Sequence, residues 1–304
     1  MKTTLIGIFV SLLSFNAMTQ ELHWEITPEG VLITEGDQKV LFYQKETKTL
    51  DGQYPRANYI HPLYDLEGNV ITEDFPKDHK HHRGIFWAWH QVLVKGKPMG
   101  DSWECKDFTW KVEKPTIVKT QEEIQLQIKT LWSSPDYVIA RDQIPFIKEN
   151  TKITVHQATE AYRIIDFEIS LQALVDGVEL GGSDDIKGYG GFSARFKLPS
   201  TMEFTSDNKT ITPQNPAVKA GRGMQFDGRI DPDQKLGVLL VSSSSNPLPN
   251  NLWILRSQNS MQNAVYPGSK PVSISKETPT ILKYRLVIYH RKPSQKQLLL
   301  WQDF

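Results

Sequence analysis

Four of the protein's eight histidines fall within thirteen residues, Asp78-His79-Lys80-His81-His82-Arg83-Gly84-Ile85-Phe86-Trp87-Ala88-Trp89-His90. Imidazole gains or loses a proton near neutral pH and is the commonest metal ligand. The same stretch adds a carboxylate, two flat indoles and a guanidinium able to clamp a carboxylate or oxyanion. Read as extended chain, it sends His79 and His81 to one side and Lys80 and His82 to the other. Trp87 and Trp89 would share a face, either stacking on a sugar ring or packing in a core. Two chemistries fit these groups. His81 or His82 serves as a general acid or base with Arg83 as anchor, or His79 and His81 ligate a metal with His61 or Asp78 as third donor. Neither a His-Glu-x-x-His run nor paired cysteines accompanies them, so no metal or other cofactor is assigned.

A second tract, Gly181-Gly182-Ser183-Asp184-Asp185-Ile186-Lys187-Gly188-Tyr189-Gly190-Gly191-Phe192, holds five glycines in eleven residues. Such backbone turns sharply or approaches a ligand closely, yet the spacing is not that of a phosphate loop. Lys187 and Tyr189 offer an ammonium and a hydroxyl there. Glu168 lies on the strand-like segment just before, on the face opposite Phe167, Ile169 and Leu171. Asn263 belongs to a late segment that mixes amides with Tyr266 and suits hydroxyl recognition.

These groups need a scaffold, and the pattern of the chain is alternation at period two. It is clearest at 123–128, 151–156 and 163–171, with further strand-like runs at 236–242 and 281–289. Glu67-Gly68-Asn69, Asp176-Gly177 and Asp227-Gly228 read as turns. Only 294–302 suggests a helix. Many short strands imply an all-β fold, a large antiparallel β-sandwich forming one domain over 21–304.

The first twenty residues read as a signal peptide: Lys2, an apolar run from Leu5 to Leu13, then small or polar residues from Ala17 to Gln20. Secreted or periplasmic placement is expected, with no membrane span in the mature chain. The single cysteine, Cys105, leaves no internal disulfide to form, and a chain of 304 residues can build its core without one. Thirty-five basic residues balance thirty-five acidic ones without a basic stripe, which argues against nucleic acid.

Ile60-His61-Pro62-Leu63-Tyr64-Asp65, the 78–89 tract, Lys187-Gly188-Tyr189-Gly190-Gly191-Phe192, Asn263-Ala264-Val265-Tyr266-Pro267-Gly268 and the 284–290 segment occur in one order. In this the chain resembles, over roughly 22–292, the secreted bacterial proteins labelled "methane oxygenase PmoA", with His81-His82-Arg83-Gly84 as the most specific piece. Methane chemistry is not carried over, because a membrane oxygenase subunit needs helices of about 20 apolar residues. The chain is also similar to galactose-mutarotase-like supersandwich proteins. The first resemblance implies a place beside saccharide catabolism, and the second a concave sugar cleft lined by His, Arg and an acidic base. It departs where those proteins carry a middle His and a late Glu: residues 190–195 contain no His, and 263–268 no Glu.

The resulting expectation is a carbohydrate-active protein using His-assisted proton transfer, of lyase, epimerase or hydrolase type. His81, His82, Arg83, Glu168 and Lys187 would be catalytic. His61, Asp78, His79, Trp87, Trp89, Tyr189 and Asn263 would bind a saccharide partner. The alternatives are a non-catalytic saccharide-binding module and a metal-dependent enzyme using His61, His79 and His81.

Overall fold

The computed structural model describes residues 20–198, 202–232, 234–258 and 260–304. The expected signal peptide, apart from its last residue, lies outside the described residues. Two large antiparallel sheets face one another. The first runs, in spatial order, Leu22–Ile26, Gly30–Glu35, Gln38–Gln44, Tyr59–Leu63, Ile85–Trp89, Gly190–Ala194, Gln262–Val265, Leu252–Ile254 and Val218–Lys219. The second is built around Glu123–Ser133, Ile147–His156, Tyr162–Ala173, Thr280–Tyr289, Lys235–Ser242 and Gly223–Arg229. The fold is all-β and sandwich-like.

Alternation in the sequence becomes burial in the second sheet. Along Tyr162–Ala173 every second residue is buried, with Ile165, Phe167, Ile169 and Leu171 inward and Asp166, Glu168 and Ser170 outward. Thr151, Ile153 and Val155 do the same on the adjacent strand, as do Ile124, Leu126 and Ile128 on the strand beyond it. The inward rings of the two sheets meet directly: Phe192 stacks on Tyr284 with centroids 4.5 Å apart and meets Phe167 edge-on at 4.9 Å. The helix Gln295–Gln302 is closed by a capping box, in which Ser294 and Gln297 satisfy each other's backbone N–H. It sets Leu298 and Trp301 against the outer face of the second sheet. Among the described residues no helix is long and apolar enough to cross a membrane.

Two local expectations change. Asp227-Gly228 is not a turn but lies inside the strand Gly223–Arg229. All five residues of Ile85–Trp89 are buried, because the strand has something packed on both faces. Trp87 and Trp89 point into the space between the sheets, while Phe86 and Ala88 face a separate cluster with Tyr59, Trp103 and Val265. Both indoles are therefore core residues.

One polar group sits in that core. Glu149, fully buried on Ile147–His156, accepts four hydrogen bonds. The donors are Asn58 Nδ2 at 2.8 Å, Trp87 Nε1 at 2.9 Å, Trp132 Nε1 at 2.9 Å and the Thr151 hydroxyl. Burial raises its carboxyl above the ordinary range despite these donors. Three of them converge on Oε1 and Trp132 alone meets Oε2. Glu149→Gln thus turns one acceptor into a donor facing Trp132 and should cost about 1–3 kcal/mol. Glu149→Ala strands all four donors and should cost clearly more. Urea unfolding of the two variants checks this order, and an E149A protein as stable as the parent would refute it.

Candidate functional site

Residues 79–82 form a turn rather than extended chain, with the His82 N–H donating to the His79 carbonyl at 2.9 Å. The turn cancels the alternation expected from sequence and gathers all three rings. His79 stacks on His82 at 4.7 Å, and His81 meets His82 edge-on at 4.5 Å. Gly84 makes the approach to the next strand possible: it has φ +43°, and a Cβ there would lie 1.9 Å from the Ile60 carbonyl oxygen.

A second turn, 101–106, faces the first and was not foreseen. The Ser102 hydroxyl accepts from the Trp89 N–H at 2.8 Å and donates to the Trp89 carbonyl at 2.7 Å, pinning the turn to the end of the central strand. Asp101 Oδ1 accepts the backbone N–H groups of Trp103 and Glu104, leaving Oδ2 for His90 Nδ1 at 2.8 Å. Glu104 Oε2 lies 3.2 Å from His81 Nδ1. Between the two pairs Trp103 is buried, with His90 stacked on it at 5.3 Å and Tyr189 tilted against it at 5.6 Å. One turn thus supplies carboxylates to two imidazoles. His90 ended the sequence tract without a role, and the acids lie eleven and more residues further on, so spacing alone could not pair them.

The other expected residues divide. Lys187 and Tyr189 do reach this place: Lys187 Nζ stands 5.5 Å from the Tyr189 ring, whose hydroxyl accepts from Arg256 at 2.9 Å. Asp78 and His79 are bonded to each other at 2.7 Å beside the turn. Asp78 also receives Arg195 through both terminal nitrogens, at 2.9 and 2.7 Å, while Arg195 Nε goes to Glu73. Burial works to raise the Asp78 carboxyl, but the Arg195 and His79 hydrogen bonds prevail and hold it at about 2.

Arg83 has no freedom to clamp a ligand. Fully buried, it donates to Asp74, to the Tyr54 and Lys48 carbonyls and to the Tyr59 hydroxyl, with its plane 3.5 Å from the Phe75 centroid. It ties the Lys48–Leu50 and Gln53–Arg56 hairpin to the tract. Trp87 and Trp89 give their indole N–H groups to Glu149 and to the Tyr266 carbonyl, inside the core. Asn263 is buried and spends its amide on Gly190, Phe192 and Ser193. Glu168 stands on the outer face of the other sheet, paired with Lys152 at 2.9 Å and Lys283 at 3.3 Å. His61 bonds Thr72 at 3.0 Å, and the charges acting on it are those of Asp74, Lys48, Arg83 and Lys197.

Among the described residues no group of three or more His, Cys, Asp and Glu is arranged to hold a metal. Hollows of about 550 Å³ each border Lys235, His290 and Arg291, and share no residue with the histidine turn.

Burial governs the imidazoles. It drives His61 down to about 4 and His81 to about 3, the latter aided by the charge of Arg56, and it drives His82 well below the usual value. Unfolded, all three take up protons near pH 6.5. The unfolded chain therefore binds more protons as pH falls below that value. Each histidine then removes up to about 1.4 kcal/mol of stability per pH unit, His61 until about pH 4 and His81 until about pH 3. Chemical denaturation at pH 7.5, 6 and 5 should show stability constant above about pH 7 and falling steeply below it. His61→Asn should make the slope shallower, and a flat profile would overturn this account.

No curated protein matches the sequence. A family model described as "Family of unknown function (DUF6807)" matches residues 30–301, most of the chain, and the protein belongs to that family.

Proposed function

We propose that the protein is a carbohydrate-active enzyme that moves a proton on a sugar or glycoside, by lyase, epimerase or hydrolase chemistry, in the cell envelope or outside it. The observation that carries this reading is the pair of imidazole–carboxylate contacts hung on the 101–106 turn beside a partly exposed tyrosine ring. The supersandwich likeness noted in the sequence implies a sugar cleft lined by His, Arg and an acidic base, and the two turns bring imidazoles and carboxylates together.

The roles follow from geometry. Asp101 has both oxygens engaged, so it holds the His90 ring with Nδ1–H toward Oδ2 and leaves Nε2 as the proton acceptor. As Nε2 takes a proton from a sugar carbon or hydroxyl, the Asp101 charge stabilises the imidazolium. The partner acid is Glu104, whose carboxyl burial and the neighbouring Asp101 charge push upward, toward the protonated form. His81, held neutral, stands with Nδ1 3.2 Å from Glu104 Oε2 and orients it. His82 is too buried to meet a ligand and serves as the platform between His79 and Phe86. The stacking role expected of Trp87 and Trp89 passes to Tyr189.

A thermal-shift screen of sugars and glycosides first identifies a ligand by its stabilisation of the native state. On that ligand, His90→Gln and Asp101→Asn should each lower kcat by about 10²–10⁴ while the ligand still binds. Glu168→Gln should leave kcat unchanged. Full turnover by the His90→Gln protein would end the assignment, and binding without turnover in the parent would favour a saccharide-binding module.

A further inference from the structure

The carboxylates around the two turns all have partners. Asp78 and Glu73 hold Arg195, Asp101 holds His90 and two backbone N–H groups, and Glu104 meets His81. The cations of the same region are not matched in this way. Arg256 donates to the Gln214, Leu255 and Asn215 carbonyls and to the Tyr189 hydroxyl, every one a neutral acceptor. Arg56 lies buried between the Phe86 and Trp110 rings, 4.8 and 4.9 Å from their centroids. It donates to the Ser102 and Trp103 carbonyls beneath the second turn, and its Nε finds no acceptor. Among the described residues no carboxylate comes within ion-pair distance of either guanidinium.

Lys187 is loosely matched. Its Nζ lies 3.8 Å from Asp185 Oδ2, at the long end of an ion pair, while Oδ1 of the same carboxylate takes Ser183 and the N–H groups of Lys187 and Gly188. Asp184 on the same loop is exposed and makes no ion pair with these cations. Lys187 Nζ and the Arg256 guanidinium stand 5.5 and 5.7 Å from the centroid of the Tyr189 ring. A guanidinium whose hydrogen bonds all go to neutral acceptors has no carboxylate to offset its charge. A ring with two cations this near, next to an acid/base pair, favours an oxyanion on whatever stacks there.

We infer that the saccharide carries an anionic substituent, a carboxylate or a sulfate, seated against Tyr189 within reach of Lys187 and Arg256. This rests on the saccharide reading above. The test is binding by the full chain of glucuronic and galacturonic acid oligosaccharides, galactose 6-sulfate and their neutral parents, at low and high salt. Acidic sugars should bind more tightly than neutral ones, with the margin shrinking at high salt. The uronate and sulfate arms tell which oxyanion is read. Lys187→Met should weaken the acidic ligand about tenfold and leave the neutral parent unaffected. Arg256→Lys, which keeps the charge and spares the loop contacts the larger change, should retain the preference. Neutral parents binding as tightly as acidic ones, or a preference that survives Lys187→Met, would overturn the inference and leave the saccharide reading standing. Failure of every sugar, acidic and neutral, to bind would remove both.

Discussion

Everything at the histidine turn hangs from a strand whose position is set by one buried carboxylate. Glu149 belongs to the second sheet, yet it takes hydrogen bonds from Trp87 on the central strand of the first sheet and from Asn58 just before the neighbouring strand. Trp132 and Thr151 close its shell from its own side. A charge-bearing group in an apolar interior is tolerated only when its donors are all in place, so their geometry is tightly specified. A slip of one residue would carry Trp87 to the opposite face, away from Glu149. The register of Ile85–Trp89 is thereby set, and with it which way the residues at both its ends project.

Much of the architecture was legible in the sequence because half-buried strands declare themselves. Tyr162–Ala173 alternates so strictly that its faces could be assigned residue by residue. The central strand gave no such signal, since a strand covered on both faces reads as a continuous apolar run. The indoles of Trp87 and Trp89 fitted a ligand face and a core face equally well on pattern alone. Their burial follows from the facing sheet, where Trp87 meets Phe167 and Trp89 meets Trp132.

Composition singles out the histidine tract, whereas its wiring is visible only in the structure. Sequence marked the tract because imidazoles are rare and crowded there. It could not show that a hydrogen bond from His82 to His79 folds them into a turn, nor that Asp101 and Glu104 arrive from another loop. Arginines misled for a related reason. A guanidinium beside histidines suggests a ligand clamp, but Arg83 satisfies its donors within the protein, and Arg195 joins Asp78 to Glu73. Asn263 and Glu168 stand apart from the turns for opposite reasons, the one absorbed into the sheet backbone and the other placed on the far outer surface.

The grip of Ser102 on both backbone groups of Trp89 has a mechanical side. Asp101 and Glu104 sit three residues apart on the turn that this hydroxyl anchors, so they move as a single rigid arm. Any displacement of the arm would shift the partner of His90 and the partner of His81 together. The two imidazoles are geared: one cannot be retuned by a change in the loop without disturbing the other. Insertions between 101 and 104 would therefore degrade both pairs at once, whereas changes beyond Lys106 would leave the gearing intact.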